Sequence, residues 1–289
     1  MKCKFYIIVT PIINTNLFAK KKLEEVQTAM AYELLHVFKR LGIVPANVIL
    51  VGAFDGGEIK GFLEAGVQIA YLFEAEPSAI KILSESYGNN PRVKLFEGAV
   101  ASEGGKVKKF HVLNHSASSL LTPNLDLLKK IIPDFQIEGE IEVHTITLDA
   151  SLRDHWGQWG ENKLDTFLIL DIQGGELDAI KGAPELLKRV GGIQAEISTA
   201  QLYQDQNTIT QLDEYLKGNG FKRVSTRTHP ELNHGDALYF RPDLINKSFL
   251  SAMIIEDFHW NLARKRPTWI PSLNHSKVGR FLLRLIRGS

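Results

Sequence analysis

The segment from Asn47 to Pro77, NVILVGAFDGGEIKGFLEAGVQIAYLFEAEP, constrains the fold more than any other part of the chain. Val48 to Val51 is an unbroken apolar run, the pattern of a parallel strand covered on both faces. It stops at Gly52-Ala53-Phe54-Asp55-Gly56-Gly57, where small residues permit a tight turn and close approach of a ligand to the backbone. A helix is expected from Glu58, and Gln68 to Phe73 reads as a second buried strand. Glu74 ends that strand about 20 residues after the turn, where a carboxylate can accept hydrogen bonds from both hydroxyls of a ribose. Turn, helix, strand and terminal acid together describe a nucleoside pocket. Its candidate cofactor-binding residues are Gly52, Ala53, Asp55, Gly56, Glu74 and Ala75.

The rest of the chain continues the alternation. Before the pocket, Leu23, Val26, Met30, Leu34, Val37, Phe38 and Leu41 fall at helical spacing, and this helix is expected to cover one edge of the pocket. After it come a helix from Pro77 to Tyr87, a strand from Val93 to Phe96, and a hairpin from Glu97 to Val112 turning at Glu103-Gly104-Gly105. His115 to Glu140 reads as an irregular segment lying over the pocket. Strands follow at Ile141–Leu148, Leu164–Leu170 and Gly192–Ile197, with helices from Glu176 and over Thr208–Lys217. The closing pair, Phe221–Ser225 and Asp236–Phe240, is joined by a short polar stretch, which points to an antiparallel last strand. The expectation is a doubly wound, Rossmann-like α/β fold with a mostly parallel seven-stranded sheet. It divides the chain into an N-terminal segment with a capping helix (1–45), the main domain (46–242) and a tail (243–289). The tail ends in a short basic amphipathic helix, with Val278, Phe281, Leu282, Leu285 and Ile286 against Lys277, Arg280, Arg284 and Arg287. Docking on its own domain is the first reading of that helix, and weak contact with a membrane surface the second.

With 289 residues and 44% hydrophobic content, the chain is long enough to bury a full core. A net charge of +1 gives no argument for a nucleic-acid partner. Cys3 is the only cysteine, which excludes an intramolecular disulfide and a thiolate zinc site. Lys2 and Lys4 flank an apolar stretch faintly like a secretory signal, but Pro11 interrupts it and no small-residue cleavage site precedes Lys20-Lys21-Lys22. A soluble, cytoplasmic protein is expected.

The pocket admits a nicotinamide, a flavin or S-adenosylmethionine. A dinucleotide needs G-x-G-x-x-G so that its pyrophosphate can rest on a helix N-terminus. Here Phe54 occupies the place of the second glycine, and Asp55 puts negative charge where a pyrophosphate would lie. S-adenosylmethionine has no phosphate and carries a sulfonium and an ammonium, so an acidic turn suits it better.

At this point the chain resembles the FkbM-type S-adenosylmethionine-dependent methyltransferases, over roughly Val48 to Arg241. The family's D-V-G-A-N-x-G stands here as Leu50-Val51-Gly52-Ala53-Phe54-Asp55-Gly56, and its F-E-P-x-P as Phe73-Glu74-Ala75-Glu76-Pro77. S-S-L is Ser118-Ser119-Leu120, and T-L-D is Thr147-Leu148-Asp149. The block K-I-D-V-E-G-A-E with L-K-G-A stands as Ile169-Leu170-Asp171-Ile172-Gln173-Gly174-Gly175-Glu176 and Ile180-Lys181-Gly182-Ala183. The E-V-S and L-Y elements are Glu196-Ile197-Ser198 and Leu202-Tyr203. Leu50, Phe54, Ile169 and Gln173 depart from the pattern. The resemblance implies O-methylation of a hydroxyl on a sugar, glycan or secondary metabolite. A non-catalytic binding or scaffold protein of the same fold is the alternative, and a nicotinamide oxidoreductase a distant third.

Methyl transfer to oxygen is an in-line displacement that needs the acceptor held close and its proton removed. Asp171, at the end of a central strand, is the first candidate for that work, and Glu196, on the neighbouring strand, the second. Glu176 reads as a first-turn residue favoured by the helix dipole. The groups His111, His115, His144 and His229, His234, Asp236 match no recognised metal motif, and no metal is expected. Tyr203, Trp156 and Trp159 read either as an aromatic platform for a sugar or as packing residues.

Overall fold

The computed structural model describes residues 34–114, 116–229 and 233–264. Ten strands are named among them: β1 Asn47–Val51, β2 Ile69–Glu74, β3 Val93–Glu97, β4 Ala99–Val100, β5 Val107–Leu113, β6 Ile137–Ile146, β7 Thr166–Leu170, β8 Gly192–Ser198, β9 Lys222–His229 and β10 His234–Phe240. The helices are α1 (34–41), α2 Ile59–Ala65, α3 Pro77–Tyr87, α4 Leu125–Ile131, α5 Leu148–Leu152, α6 Glu176–Lys181, α7 Pro184–Leu187, α8 Ile209–Gly218 and α9 Lys247–Arg264.

Seven strands form one sheet in the order β3-β2-β1-β7-β8-β10-β9. All its neighbours run parallel except β10, which is antiparallel to both β8 and β9. The expected doubly wound sheet with an antiparallel final strand is therefore present. β1 shows why the sheet needs helices on both sides. Successive side chains of a strand point to opposite faces. Accordingly Ile49 and Val51 join one core, with residues of α5, α6, α7 and α8, while Val48 and Leu50 join the other, with α1, α2, α3 and α9. All five residues of β1 and of β7 are buried, which explains the absence of polar alternation in their sequences. At this parallel centre, β1 changes neighbour from β2 to β7. The chain leaves both β1 and β7 at the same edge, and a crevice opens there.

Several expectations are corrected. Glu97 to Val112 is not a hairpin. β4 and β5 do not pair, because β6 lies between them, parallel to β4 and antiparallel to β5. Thr145 of β6 fastens the turn: its hydroxyl donates to the Glu103 carbonyl (2.7 Å), and its carbonyl accepts from Gly105 N–H (2.8 Å). The stretch expected to be irregular contains α4, capped by the Asn124 side chain on Leu127 N–H, and the first residues of β6. α1 covers the sheet face rather than an edge of the pocket, with Leu34, Val37 and Phe38 in the same core as β1. The chain after Pro242 forms α9, whose Phe249 and Met253 are buried in that core. The basic segment 277–287 lies outside the described residues, as do Cys3 and the apolar N-terminal stretch. Among the described residues, no helix is long and apolar enough to cross a membrane.

Candidate active site

The crevice holds a cavity of about 330 Å³, within the range of small-ligand sites. Its floor comes from the turn after β1 (Val51, Gly52, Phe54), the end of β2 (Phe73 to Glu76) and the loop after β7 (Asp171 to Gly175). Val100, Phe110 and Leu120 supply apolar wall, and Ser118, Asp178, Asp205 and Asn207 supply polar groups.

Gly52 has φ +85°, and a Cβ there would sit 1.9 Å from the Asp171 carbonyl oxygen. No other residue fits where the β1 and β7 loops meet. Glu74 lies across from it, buried, with its carboxylate pulled towards the turn. Oε2 accepts from Phe54 N–H (2.8 Å), and Oε1 accepts from Ala75 N–H (2.7 Å) and Glu76 N–H (2.9 Å). Burial raises its pKa, against the lowering effect of these three donors. A carboxylate has about four acceptor sites, so capacity remains for a ligand hydroxyl. The acid is thus a brace for the turn as well as a group on the cavity wall. Glu76 accepts from Ser118 Oγ (2.8 Å), which ties the segment around Ser118 to this wall.

Asp171 lines the cavity from the end of β7. Behind it, Gln173 Nε2 donates to Asp171 Oδ1 (2.9 Å) and to Glu196 Oε2 (2.8 Å). Gln173 thus holds the two carboxyl groups side by side. Burial raises both, and the neighbouring charges of Asp171, Glu176 and Asp236 push Glu196 well above the carboxylate range. His234 Nδ1 lies 3.2 Å from Glu196 Oε1 and does not line the cavity. Gln173 Oε1 faces the Tyr203 hydroxyl (3.0 Å), which also lies 2.8 Å from the Ala117 carbonyl. Gln173 adopts φ +56°, which turns its carboxamide into this cluster. Glu176 is buried in the first turn of α6 and accepts from Ile172 N–H (3.1 Å) and Gly174 N–H (3.2 Å), holding the loop shut. Burial first, then the charge of Asp171, raises its pKa to about 7. Glu58, just before α2, is likewise raised to about 7, by burial and then by Asp171 and Asp55.

Of the residues expected to bind the cofactor, Gly52, Glu74 and Ala75 line the cavity. Ala53, Asp55 and Gly56 lie in the same turn but do not. Ala53 is buried in the β1 core, Asp55 Oδ1 accepts from Gly57 N–H (2.9 Å), and the Gly56 carbonyl accepts from Tyr87 (2.9 Å). Asp171 reaches the cavity, whereas Glu196 stands behind it. Lys108, Phe110, Asp205 and Asn207 carried no signal in the sequence, because β5 and the loop after β8 reach the cavity only through the tertiary fold. The histidine groups are brought together only in part. His111 pairs with Glu140 and His144 with Val107 in the β5–β6 register, and His115 is outside the described residues. His229 and His234 are register partners on β9 and β10. Among the described residues, no group of three His, Cys, Asp or Glu is placed to hold a metal. Trp156 and Trp159 pack against the core that includes Tyr71, Leu148 and Leu152 and do not line the cavity. Trp159 Nε1 donates to Tyr71 (2.9 Å) and Arg189 lies 4.6 Å over Trp156, so both are packing residues.

The cavity suits S-adenosylmethionine on its own chemistry. A glycine admits the ligand against backbone, an acid stands at the ribose position, apolar wall is available for a base, and Glu76, Asp171, Asp178 and Asp205 face a cation with Lys108 as the sole lysine or arginine in the lining.

Residues 51–223 match the methyltransferase FkbM domain. The chain is 30% identical over 170 residues to the 2-O-methyltransferase NoeI of Sinorhizobium fredii, covering 56% of this chain and 68% of that protein. Among solved structures, the methyltransferase FkbM of Methylobacillus flagellatus KT aligns at 14% identity and a TM-score of 0.42, over 67% of this chain and 43% of that one. The magnesium protoporphyrin IX methyltransferase of Synechocystis PCC 6803, solved with bound SAM, aligns at 11% identity and a TM-score of 0.45, over 83% and 86%. With the family domain spanning more than half its length, the chain belongs to the FkbM family of S-adenosylmethionine-dependent methyltransferases.

Proposed function

We propose that this methyltransferase transfers the methyl group to a hydroxyl oxygen of a sugar or glycan, with Asp171 as the base. The observation that carries the reading is Asp171 itself, a carboxylate on the cavity wall, tied to Glu196 through Gln173. The 30% identity to a 2-O-methyltransferase supports an oxygen acceptor.

S-adenosylmethionine supplies an electrophilic methyl carbon on a sulfonium. The chain's own residues do the rest. Asp171 accepts the hydroxyl proton as the oxygen–carbon bond forms and the carbon–sulfur bond breaks. Burial raises its pKa, which makes it a stronger base than a solvated aspartate. Glu196 is its buried neighbour, raised well above the carboxylate range by burial first and then by the charge of Asp171. Gln173 fixes the distance between them, and the Tyr203 hydroxyl fixes Gln173. Glu74 orients the ribose and Gly52 lets the ligand approach the backbone. A cytoplasmic location goes with this reading, as the sequence suggests.

The test uses labelled methyl donor and a panel of mono- and oligosaccharides. Transfer to a sugar hydroxyl is expected, and Asp171→Asn should lower kcat by about 10²–10⁴, the usual range for a general base. Affinity for S-adenosylhomocysteine should fall far less than kcat, because Glu76, Asp178 and Asp205 still face its ammonium and Glu74 its ribose. Full activity in Asp171→Asn would remove the base assignment; transfer to no sugar would remove the acceptor class.

A further inference from the structure

Asp205 lines the cofactor cavity and also a second, more open groove of about 580 Å³. The groove lies where the segment 123–126 meets the loop 201–205, and its polar lining is Asn124, Asp126, Gln201, Gln204 and Asp205. Its frame is built from fixed parts. Asn124 N–H donates to the Leu202 carbonyl (2.8 Å), and Gln204 N–H donates to the Thr122 carbonyl (2.8 Å). The Gln206 carboxamide accepts from Leu202 N–H (3.1 Å) and Tyr203 N–H (3.2 Å) and donates to Ser198 Oγ (2.6 Å), which stakes the loop to the end of β8. Beneath it, Leu113, Leu128, Phe135, Leu202 and Tyr203 form a small apolar core. The groove is therefore preformed, and a ligand need not spend binding energy on ordering it.

Its chemistry is selective. The side chains of Asp126, Gln201, Gln204 and Asp205 make no hydrogen bond or ion pair with the described residues. A carboxamide both donates and accepts, and a carboxylate accepts, which matches hydroxyl groups that do both. No lysine, arginine or histidine lines the groove, and two carboxylates do. A phosphate, sulfate or uronate would meet like charge with no counterion. The adjoining cavity wall adds Asp171 and Asp178 against Lys108.

We infer that this groove is the acceptor subsite for a neutral oligosaccharide. Glycosyl units held over 123–126 and 201–205 present one hydroxyl past Asp205 into the cavity, towards Asp171. The inference rests on the sugar-acceptor reading above and narrows it, from any sugar or glycan to an uncharged one of more than one unit.

The experiment is calorimetric titration of the full chain, saturated with S-adenosylhomocysteine, with chitotriose, maltotriose and mannotriose, and with a sulfated trisaccharide as the charged control. Variants Gln204→Ala and Asp126→Ala are compared, since neither residue lines the cofactor cavity. Saturable binding of at least one neutral trisaccharide is expected, weakened about fivefold or more in each variant, as for the loss of one net hydrogen bond. Cofactor-product affinity and melting temperature should be unchanged in both variants, and the sulfated sugar should bind more weakly than the neutral one. Binding of none of the neutral trisaccharides, or binding that both variants leave intact, overturns the inference. Failure to bind S-adenosylhomocysteine strikes the methyl-donor site instead, and so separates the two.

Discussion

Gln173 stands where a third carboxylate would otherwise complete the cluster. In the family pattern the position is glutamate; here a neutral carboxamide donates to both Asp171 and Glu196 and so holds two buried acids together. The four departures from that pattern fall into two kinds. Leu50 and Ile169 are buried in the sheet core beside each other on β1 and β7 and do not touch the cavity. They affect packing. Phe54 and Gln173 line the cavity, both with positive φ, and they alter the site. Restoring the acid, Gln173→Glu, would bring like charges together and leave Asp171 and Glu196 without their shared donor. A loss of about 1–3 kcal/mol is expected, the scale of a buried group left unsatisfied. The loss should be largest near pH 8 and shrink towards pH 5, where protonation relieves the repulsion. Chemical denaturation at the two pH values measures it. Equal stability at both would mean that Gln173 is not the tie between the acids.

The elements that were legible in the sequence are those whose burial is symmetrical. β1, β2 and β7 read as apolar runs because helices cover both their faces, as the two cores show. The illegible ones depend on partners far along the chain. A turn at Gly104-Gly105 looks local, yet β6, some way downstream, inserts between the strands it separates. α4 is seven residues long and is stable through its Asn124 cap and the burial of Leu128, too short a repeat to show periodicity. α6 carries its own prediction. The pKa of Glu176 is raised to about 7 by burial, so between about 4.5 and 7 the folded state binds more protons than the unfolded state. Stability from this group is therefore greatest at low pH, falls as pH rises through that window, and is level above it. The penalty at pH 8 is roughly 3 kcal/mol at most, at about 1.4 kcal/mol for each pH unit. Glu176→Gln keeps an oxygen for Ile172 and Gly174 N–H and should flatten the slope, gaining on the wild type as pH is raised from 5 to 8. Urea midpoints across that range decide it, and a slope identical to the wild type would contradict the assignment.

At the scale of the whole molecule, the site is assembled from segments spread between Val51 and Asn207. The sequence displayed the parts that are local motifs: the turn at Gly52, the acid Glu74, the strand-end Asp171. It did not display Lys108, Phe110 or Asp205, because their roles come from how the small β4-β6-β5 sheet and the 201–207 loop fold over the crevice. Nor did it show that Glu74 spends most of its hydrogen-bonding capacity on backbone, with one bond to Phe54 of the turn it faces and two to Ala75 and Glu76 beside it. That brace joins fold to function, since the same carboxylate shapes the turn and meets the ligand. Calorimetry of S-adenosylhomocysteine binding to the wild type and to Glu74→Ala tests it most directly. Saturable binding by the wild type is expected, weakened at least about tenfold by loss of the charged acceptor, in a variant whose circular dichroism remains that of a folded protein. An absence of wild-type binding at millimolar ligand, or equal affinity in the two proteins, would contradict it.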